Sequence, residues 1–401
     1  MMAVYLASMT LNMKARFKLF NFLQYFAVGV IGPYLVVFLS QKAFSGAQIG
    51  LILGVLPVGG LVFQPLWGLL SDILSKRRLL MLVALLGLIV ASLGLGFSAS
   101  FSGVFLWAIV FSVMRAPISS IITAMILDYL EEINDIDSYS LIRLWGSVGF
   151  GVATLVIGSL FLDRILVYFP WIAAGVFLSL AVLSQFLPEK GHGFTYTGVK
   201  ELGGLIKNPG FAFYLAGSMF IGASFGIYNN YLTLFLQSME ASSWLIGVIM
   251  SIQAFVEIPV MMAVPFLLRK YSSRRIILLG ALILPLRWLL YFLIYQPGWI
   301  LPIQLVHGLP VIAFFVVSVA FVDRLVDTKF RATGQALYST VLMGIGSGLG
   351  VMIAGRVIDS YGIRQIWLVN IVLGLLGLLI LTILFSQMNL RQGEETPDRP
   401  V

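Results

Sequence analysis

Cysteine is absent from this 401-residue chain, and histidine occurs only twice. Disulfides, thiol catalysis and cysteine-ligated metals are thereby excluded, and a histidine metal centre has almost nothing to build on. Charge is also scarce, at 10% of residues, where a soluble domain carries about 25%. No Walker loop occurs. The run Gly344-Ile-Gly346-Ser-Gly348-Leu-Gly350 misses the dinucleotide spacing and lies in an apolar stretch, where close helix packing is its reading. No nucleophile–base pair is visible, so an enzyme is not expected, and no organic cofactor or metal is implied.

Apolar surface is what the chain has in excess. Hydrophobic residues make up 60% of it and the mean hydropathy is +1.00. A core built from 401 residues cannot hide that much, but a lipid bilayer can. A spanning helix needs about 20 apolar residues. Such runs are predicted at 17–41, 46–70, 78–98, 102–128, 139–162, 167–188, 210–237, 242–268, 274–296, 298–322, 330–358 and 362–387. The first has spanning length and no small-residue cleavage site, so no cleavable signal peptide is expected.

The net charge of +8 could suggest nucleic acid, but the basic residues sit between the apolar runs, as topogenic charge does. With the N-terminus inside, 18 lysines and arginines fall on the cytoplasmic side. Only Lys42, Arg164, Arg356 and Arg364 fall outside. The reading is therefore a multi-pass cell (inner) membrane protein with both termini cytoplasmic, its partners the bilayer and a small solute, and a monomer.

The longest polar stretch divides the chain into a first bundle (1–188), a cytoplasmic linker (189–209), a second bundle (210–387) and a tail (388–401). The halves echo one another. Arg77-Arg78 matches Arg274-Arg275, and Gly158 to Asp163 matches Gly355 to Asp359, at offsets of 196 or 197 residues. Parallel six-helix repeats with a midplane solute site are a known transporter architecture.

Two segments carry a family resemblance. Pro65-Leu-Trp-Gly68-Leu-Leu-Ser-Asp72-Ile-Leu-Ser-Lys76-Arg77-Arg78 resembles the signature Gly-x-Leu-Ala-Asp-x-x-Gly-Arg-Arg of the major facilitator superfamily, with Ser75 in place of the second glycine. The resemblance implies an all-α membrane protein of 12 transmembrane helices in two pseudo-symmetric six-helix bundles. It also implies a gating role for Asp72, Lys76 and Arg77. Ser140-Leu-Ile-Arg143-Leu-Trp145-Gly146-Ser147-Val-Gly149-Phe150 is similar to the fifth helix of lactose permease and its oligosaccharide, nucleoside and phenylpropionate relatives. That likeness assigns solute binding to Arg143 and ring stacking to Phe150, though helix packing is an equal reading for Phe150.

Charges placed in the bilayer need a reason, because each costs about 2.5–3.5 kcal/mol at its centre. The candidates are Arg115, Arg143, Glu257, Arg287 and the titratable His307. The lactose permease carries a glutamate, an arginine and a histidine on the eighth, ninth and tenth helices. The resemblance therefore makes Glu257, Arg287 and His307 the proton-coupling set, with protons as the coupling ion. A structural Glu257–Arg287 pair is the plainer alternative. Departures exist: Pro310 stands where a second acid belongs, Val260 where an asparagine does, and Ser120 where a fourth-helix carboxylate does. Asp128 could supply that carboxylate by facing Arg143, or could be an interfacial charge. Trp145, Gln24, Tyr25, Asn229 and Gln253 complete the expected solute site.

The expectation is a proton-coupled symporter working by alternating access. A sugar or nucleoside is favoured by the resemblance, and a small organic or aromatic carboxylate by three arginines against one acid. A proton-driven drug exporter and a non-transporting receptor are the rivals.

Overall fold

The computed structural model describes residues 12–188, 208–327 and 330–392. The expected linker lies outside the described residues up to 207, as does the tail beyond 392. Among the described residues every regular element is helical, and 12 helices are long and apolar enough to cross a membrane. The first six are α1 (Met13–Gln41), α2 (Gly46–Leu74), α3 (Arg77–Phe97), α4 (Phe101–Glu132), α5 (Ser138–Phe161) and α6 (Ile165–Ser184). Then come α7 (Pro209–Ser238), α8 (Ser243–Met262), α9 (Ser273–Leu293), α10 (Gly308–Leu325), α11 (Thr333–Tyr361) and α12 (Ile366–Gln392).

Local chemistry starts these helices where the polar breaks allow. Asn12 accepts from the Ala15 amide at 2.9 Å, Ser45 and Gln48 close a capping box, and Asn208 caps α7 with Pro209 in its first turn. Large apolar side chains such as Leu69, Val90, Leu286 and Leu379 remain exposed along the helices, a surface suited to lipid.

Unbroken fourth, eighth and tenth helices were expected, and each is interrupted. α4 breaks between Arg115 and Ile118, the eighth resumes as Val264–Lys270, and α10 is preceded by a short helix, Ile300–Gln304, and a turn. Proline is the cause in each case. Pro117, Pro265 and Pro310 have no N–H to give the carbonyl four residues back, and their rings crowd it. Within α10, Ile312–Val317 is a π-helix, and α11 contains another at Thr340–Gly346. Such bulges concentrate at functional sites.

The chain falls into two compact units. One lies within Met1–Tyr196 with Ala241–Phe255, the other within Thr197–Glu240 with Val256–Val401. In the first, α1 packs on α5 and α6, α3 on α4 and α6, and α2 on α4. Glycines allow the α1–α5 approach: a Cβ on Gly149 would lie 2.1 Å from the Phe22 carbonyl oxygen. In the second, α7 packs on α11 and α12, and α9 on α10 and α12. The glycine run of α11 serves α7, since a Cβ on Gly350 would lie 2.1 Å from the Ala223 carbonyl oxygen.

Two cations that run against the inside charge bias act as helix caps. Lys42 Nζ donates to the carbonyls of Gly96 and Ser98 at 2.9 and 2.6 Å, at the end of α3. Arg364 Nη1 donates to Phe292 and Ile294 at 2.8 Å each, at the end of α9. Both meet carbonyls that a helix C-terminus leaves unpaired.

Ser75, where the family signature has glycine, sits in the left-handed region at φ 50° and ψ 28°. An L-side chain there costs about 1–2 kcal/mol, partly offset by the greater freedom glycine has when unfolded. Ser75→Gly is therefore expected to stabilise the protein by about 0.5–1 kcal/mol, read as a higher Tm in detergent or nanodiscs. A lower Tm would refute the strain argument.

Candidate functional site

Each unit holds a polar cluster. In the second it is built round Arg287, central in α9 and 1% exposed. Its guanidinium has five donors and no acceptor. Nη2 donates to Gln304 Oε1 at 3.0 Å and to the Tyr291 hydroxyl at 3.3 Å, and Nη1 lies 3.2 Å from His307 Nδ1. Aromatic faces complete the shell, with Tyr228 and Trp288 centroids 5.0 Å from Cζ and Tyr291 at 5.8 Å. Nε alone has no hydrogen-bond partner. Gln304 Oε1 also accepts from the hydroxyls of Tyr228 at 2.9 Å and Tyr291 at 3.2 Å.

This donor set fixes the histidine. Because an arginine can only donate, His307 Nδ1 must accept, so the ring proton sits on Nε2 and the ring is neutral. Nε2 then donates to Glu257 Oε1 at 3.2 Å. His307 can occupy this place because the turn Leu305–His307 lies just before α10, where Pro310 leaves the Val306 carbonyl to a longer bond from Leu309, at 3.4 Å. The direct Glu257–Arg287 pair considered from the sequence is not formed among the described residues; His307 stands between the two. His307 is 4% exposed, whereas the Glu257 side chain is 23% exposed. The carboxylate is thus the more accessible end of the relay.

In the first unit the hub is Tyr25 on α1. The Arg143 guanidinium carbon stacks 4.0 Å from the Tyr25 ring centroid. Gly146 makes the stack possible, since a Cβ there would lie 2.6 Å from Arg143 Nη1 and 2.7 Å from Tyr25 Cδ2. Arg115, exposed at the α4 break, has Tyr25 as its electrostatic neighbour. Gln24, the residue before Tyr25, is buried, its Oε1 without a hydrogen-bond partner.

Other expected site residues lie elsewhere. Asp128 pairs with Arg77 Nη1 at 2.5 Å, in the last turns of α4, and not with Arg143. Ser120 donates to its own helix, to the Pro117 carbonyl at 3.0 Å. Trp145 is 42% exposed, two residues from Arg143 and so on a different side of α5. Phe150 is half-buried, and its backbone carbonyl is what Gly29 packs against. Asn229 is exposed; Gln253 is buried one turn before Glu257 on the same face of α8. Lys76 is exposed, and the side chain of Asp72 lies outside the described residues. Gln304, Tyr228 and Tyr291 were missed, being uncharged; the only hint was their position one turn from His307 and Arg287 or on the facing α7.

Lys14, at the start of α1, pairs with Asp135, which lies in the turn between α4 and α5 and also accepts from Ser138 Oγ at 2.6 Å. The Lys14 ammonium, then the Ser138 hydroxyl, hold Asp135 below the usual carboxylate range. A depressed acid stabilises the fold above its unfolded pKa, and that contribution is lost as pH falls through the folded value. The wild type should therefore exceed Asp135→Asn in Tm at neutral pH, and the gap should close below the ordinary carboxylate range. A gap independent of pH would exclude the pair as its source. Separately, Gln304→Leu strips an acceptor from a buried cation and two hydroxyls, and should cost about 2–3 kcal/mol in denaturant unfolding.

Known proteins resemble this chain along most of its length. Residues 14–369 match the family model described as the MFS_1 like family. The maltose permease of Geobacillus stearothermophilus is 28% identical over 387 residues, covering 95% of this chain and 97% of the relative. The xanthosine permease of Escherichia coli (strain K12) is 25% identical over 395 residues, covering 90% and 92%. The crystal structure of the nucleoside transporter NupG superimposes with a TM-score of 0.83 at 22% identity, over 94% of this chain and 99% of that one.

Proposed function

The chain belongs to the MFS_1 like family of transporters, and on that footing we propose that it is a proton-coupled symporter working by alternating access. The observation that carries the proposal is the Arg287–His307–Glu257 relay. Arg287 occupies the His307 lone pair, so a second proton on the ring would set two donors against each other. The group left to load and release a proton is Glu257, the more accessible end of the relay. Its charge is felt through His307 by Gln304, Tyr228 and Tyr291, so loading alters a network spread over α7, α9 and the segment before α10. The protein works as a monomer in the cell (inner) membrane with both termini cytoplasmic, as the charge bias implies.

The solute is a sugar or nucleoside, the class to which the maltose and xanthosine permeases point. Tyr25 offers a ring, Arg143 and Arg115 donors, and Gln24 on the same helix an unpartnered carbonyl. One observation favours a second reading, a small organic or aromatic carboxylate. With Asp128 held by Arg77, the hub of Tyr25, Arg115 and Arg143 contains no acid, and an arginine fork suits a carboxylate.

Uptake into proteoliposomes, screened over sugars, nucleosides and aromatic acids, tests both readings. With one proton per solute, a pH difference of one unit supports about a tenfold gradient. Glu257→Gln should reduce that accumulation to about onefold while keeping solute exchange at equal pH. A variant that still accumulates solute would remove Glu257 from the coupling.

A further inference from the structure

The break in α4 leaves a specific debt. Pro117 has no N–H, so the Val113 carbonyl lacks its normal helical donor, and an unmet carbonyl in a bilayer costs several kcal/mol. Trp67 supplies a donor from α2: its Nε1 gives a hydrogen bond to Val113 O at 2.9 Å. One residue earlier, Ser112 Oγ donates to the α2 carbonyls of Leu56 and Val55 at 2.8 and 3.2 Å. Gly59 makes room, since a Cβ there would lie 2.1 Å from Ser112 Oγ. Beyond the break, Arg77 at the start of α3 holds Asp128. The α2–α3 hairpin therefore grips α4 on both sides of the break. Arg115 lies between the grips, two residues after Val113 and two before Pro117.

We propose that the Trp67–Val113 hydrogen bond is a clasp that sets the α4 kink, making Trp67 a positioning residue for Arg115 and so for the solute site. This rests on the reading, given above, that Arg115 serves that site. Trp67 would also tie the binding arginine to the signature segment it belongs to, so that movement of the hairpin changes the pitch of the upper half of α4. An indole has a single polar group, a donor, and a phenyl ring could fill its space without making the bond.

The absence of a proline N–H supplies a direct test. The backbone at Ala116 (φ −52°, ψ −43°) and Pro117 (φ −81°, ψ −19°) is already helical, so Pro117→Ala presents an amide to Val113 and makes the indole redundant. Full-length Trp67→Phe, Pro117→Ala and the double variant are compared in proteoliposomes. Trp67→Phe alone should raise the solute KM about fivefold, the worth of one hydrogen bond, without moving the pH midpoint of uptake. In the Pro117→Ala background it should change KM by less than about twofold. Because the chain has no cysteine, Arg115→Cys gives a readout that needs no transport. Its rate of labelling by a methanethiosulfonate reagent should shift at least about threefold with Trp67→Phe, and not in the Pro117→Ala background.

Equal effects of Trp67→Phe in both backgrounds, or unchanged labelling in both, would overturn the clasp. A Trp67→Phe protein that folds only in the Pro117→Ala background is the expected rescue in its extreme form. If the parent transports no solute, the proposed function fails, and the labelling cycle by itself decides the clasp.

Discussion

A guanidinium buried in the middle of a membrane bundle is the constraint on which the second unit depends. Arg287 cannot be neutralised at accessible pH, so its donors must find acceptors inside the protein. Gln304, Tyr291 and the Nδ1 lone pair of His307 meet that need, and the rings of Tyr228 and Trp288 surround its charge. From this one requirement follow the histidine tautomer and its donation to Glu257. Removing the cation would release each of these in turn.

Proline gives both units a way to put polar groups into helices otherwise closed to them. An intact helix in lipid satisfies its own backbone and presents only side chains. At Pro117 and Pro310 the ladder is interrupted, and the freed groups become contact points: Val113 takes the Trp67 indole, and the turn before α10 brings His307 to Arg287. Arg115 and His307 both stand within three residues of such a proline. Two of the chain's scarce polar groups thus stand at its breaks, where an irregular backbone is tolerated only against protein or a polar site.

The first unit is organised on a gentler principle, the close approach of backbones at glycine. Gly29, Gly146 and Gly149 bring α1 and α5 together closely enough for Arg143 to lie flat on Tyr25. The same closeness uses the Phe150 carbonyl for packing. Asp128, which had two readings on the linear chain, goes to the arginine that opens α3 because that cation lies at its own depth.

Hydropathy determined the twelve spans to within a few residues at most ends, because a lipid-crossing helix is a local property of about 20 consecutive residues. Sequence also singled out Glu257, Arg287 and His307, since charge in an apolar run is visible without knowing what surrounds it. It could not show that His307 stands between the other two, that Gln304 with Tyr228 and Tyr291 feeds the arginine, or that Asp128 turns to Arg77. Those facts depend on which helix faces meet and at what depth, and uncharged partners carry no signal in composition. The chain by itself thus determined a membrane bundle with a few costly charges. Tertiary structure decided which charges touch, because pairing in a low-dielectric interior is set by ångström-scale geometry between segments distant in sequence.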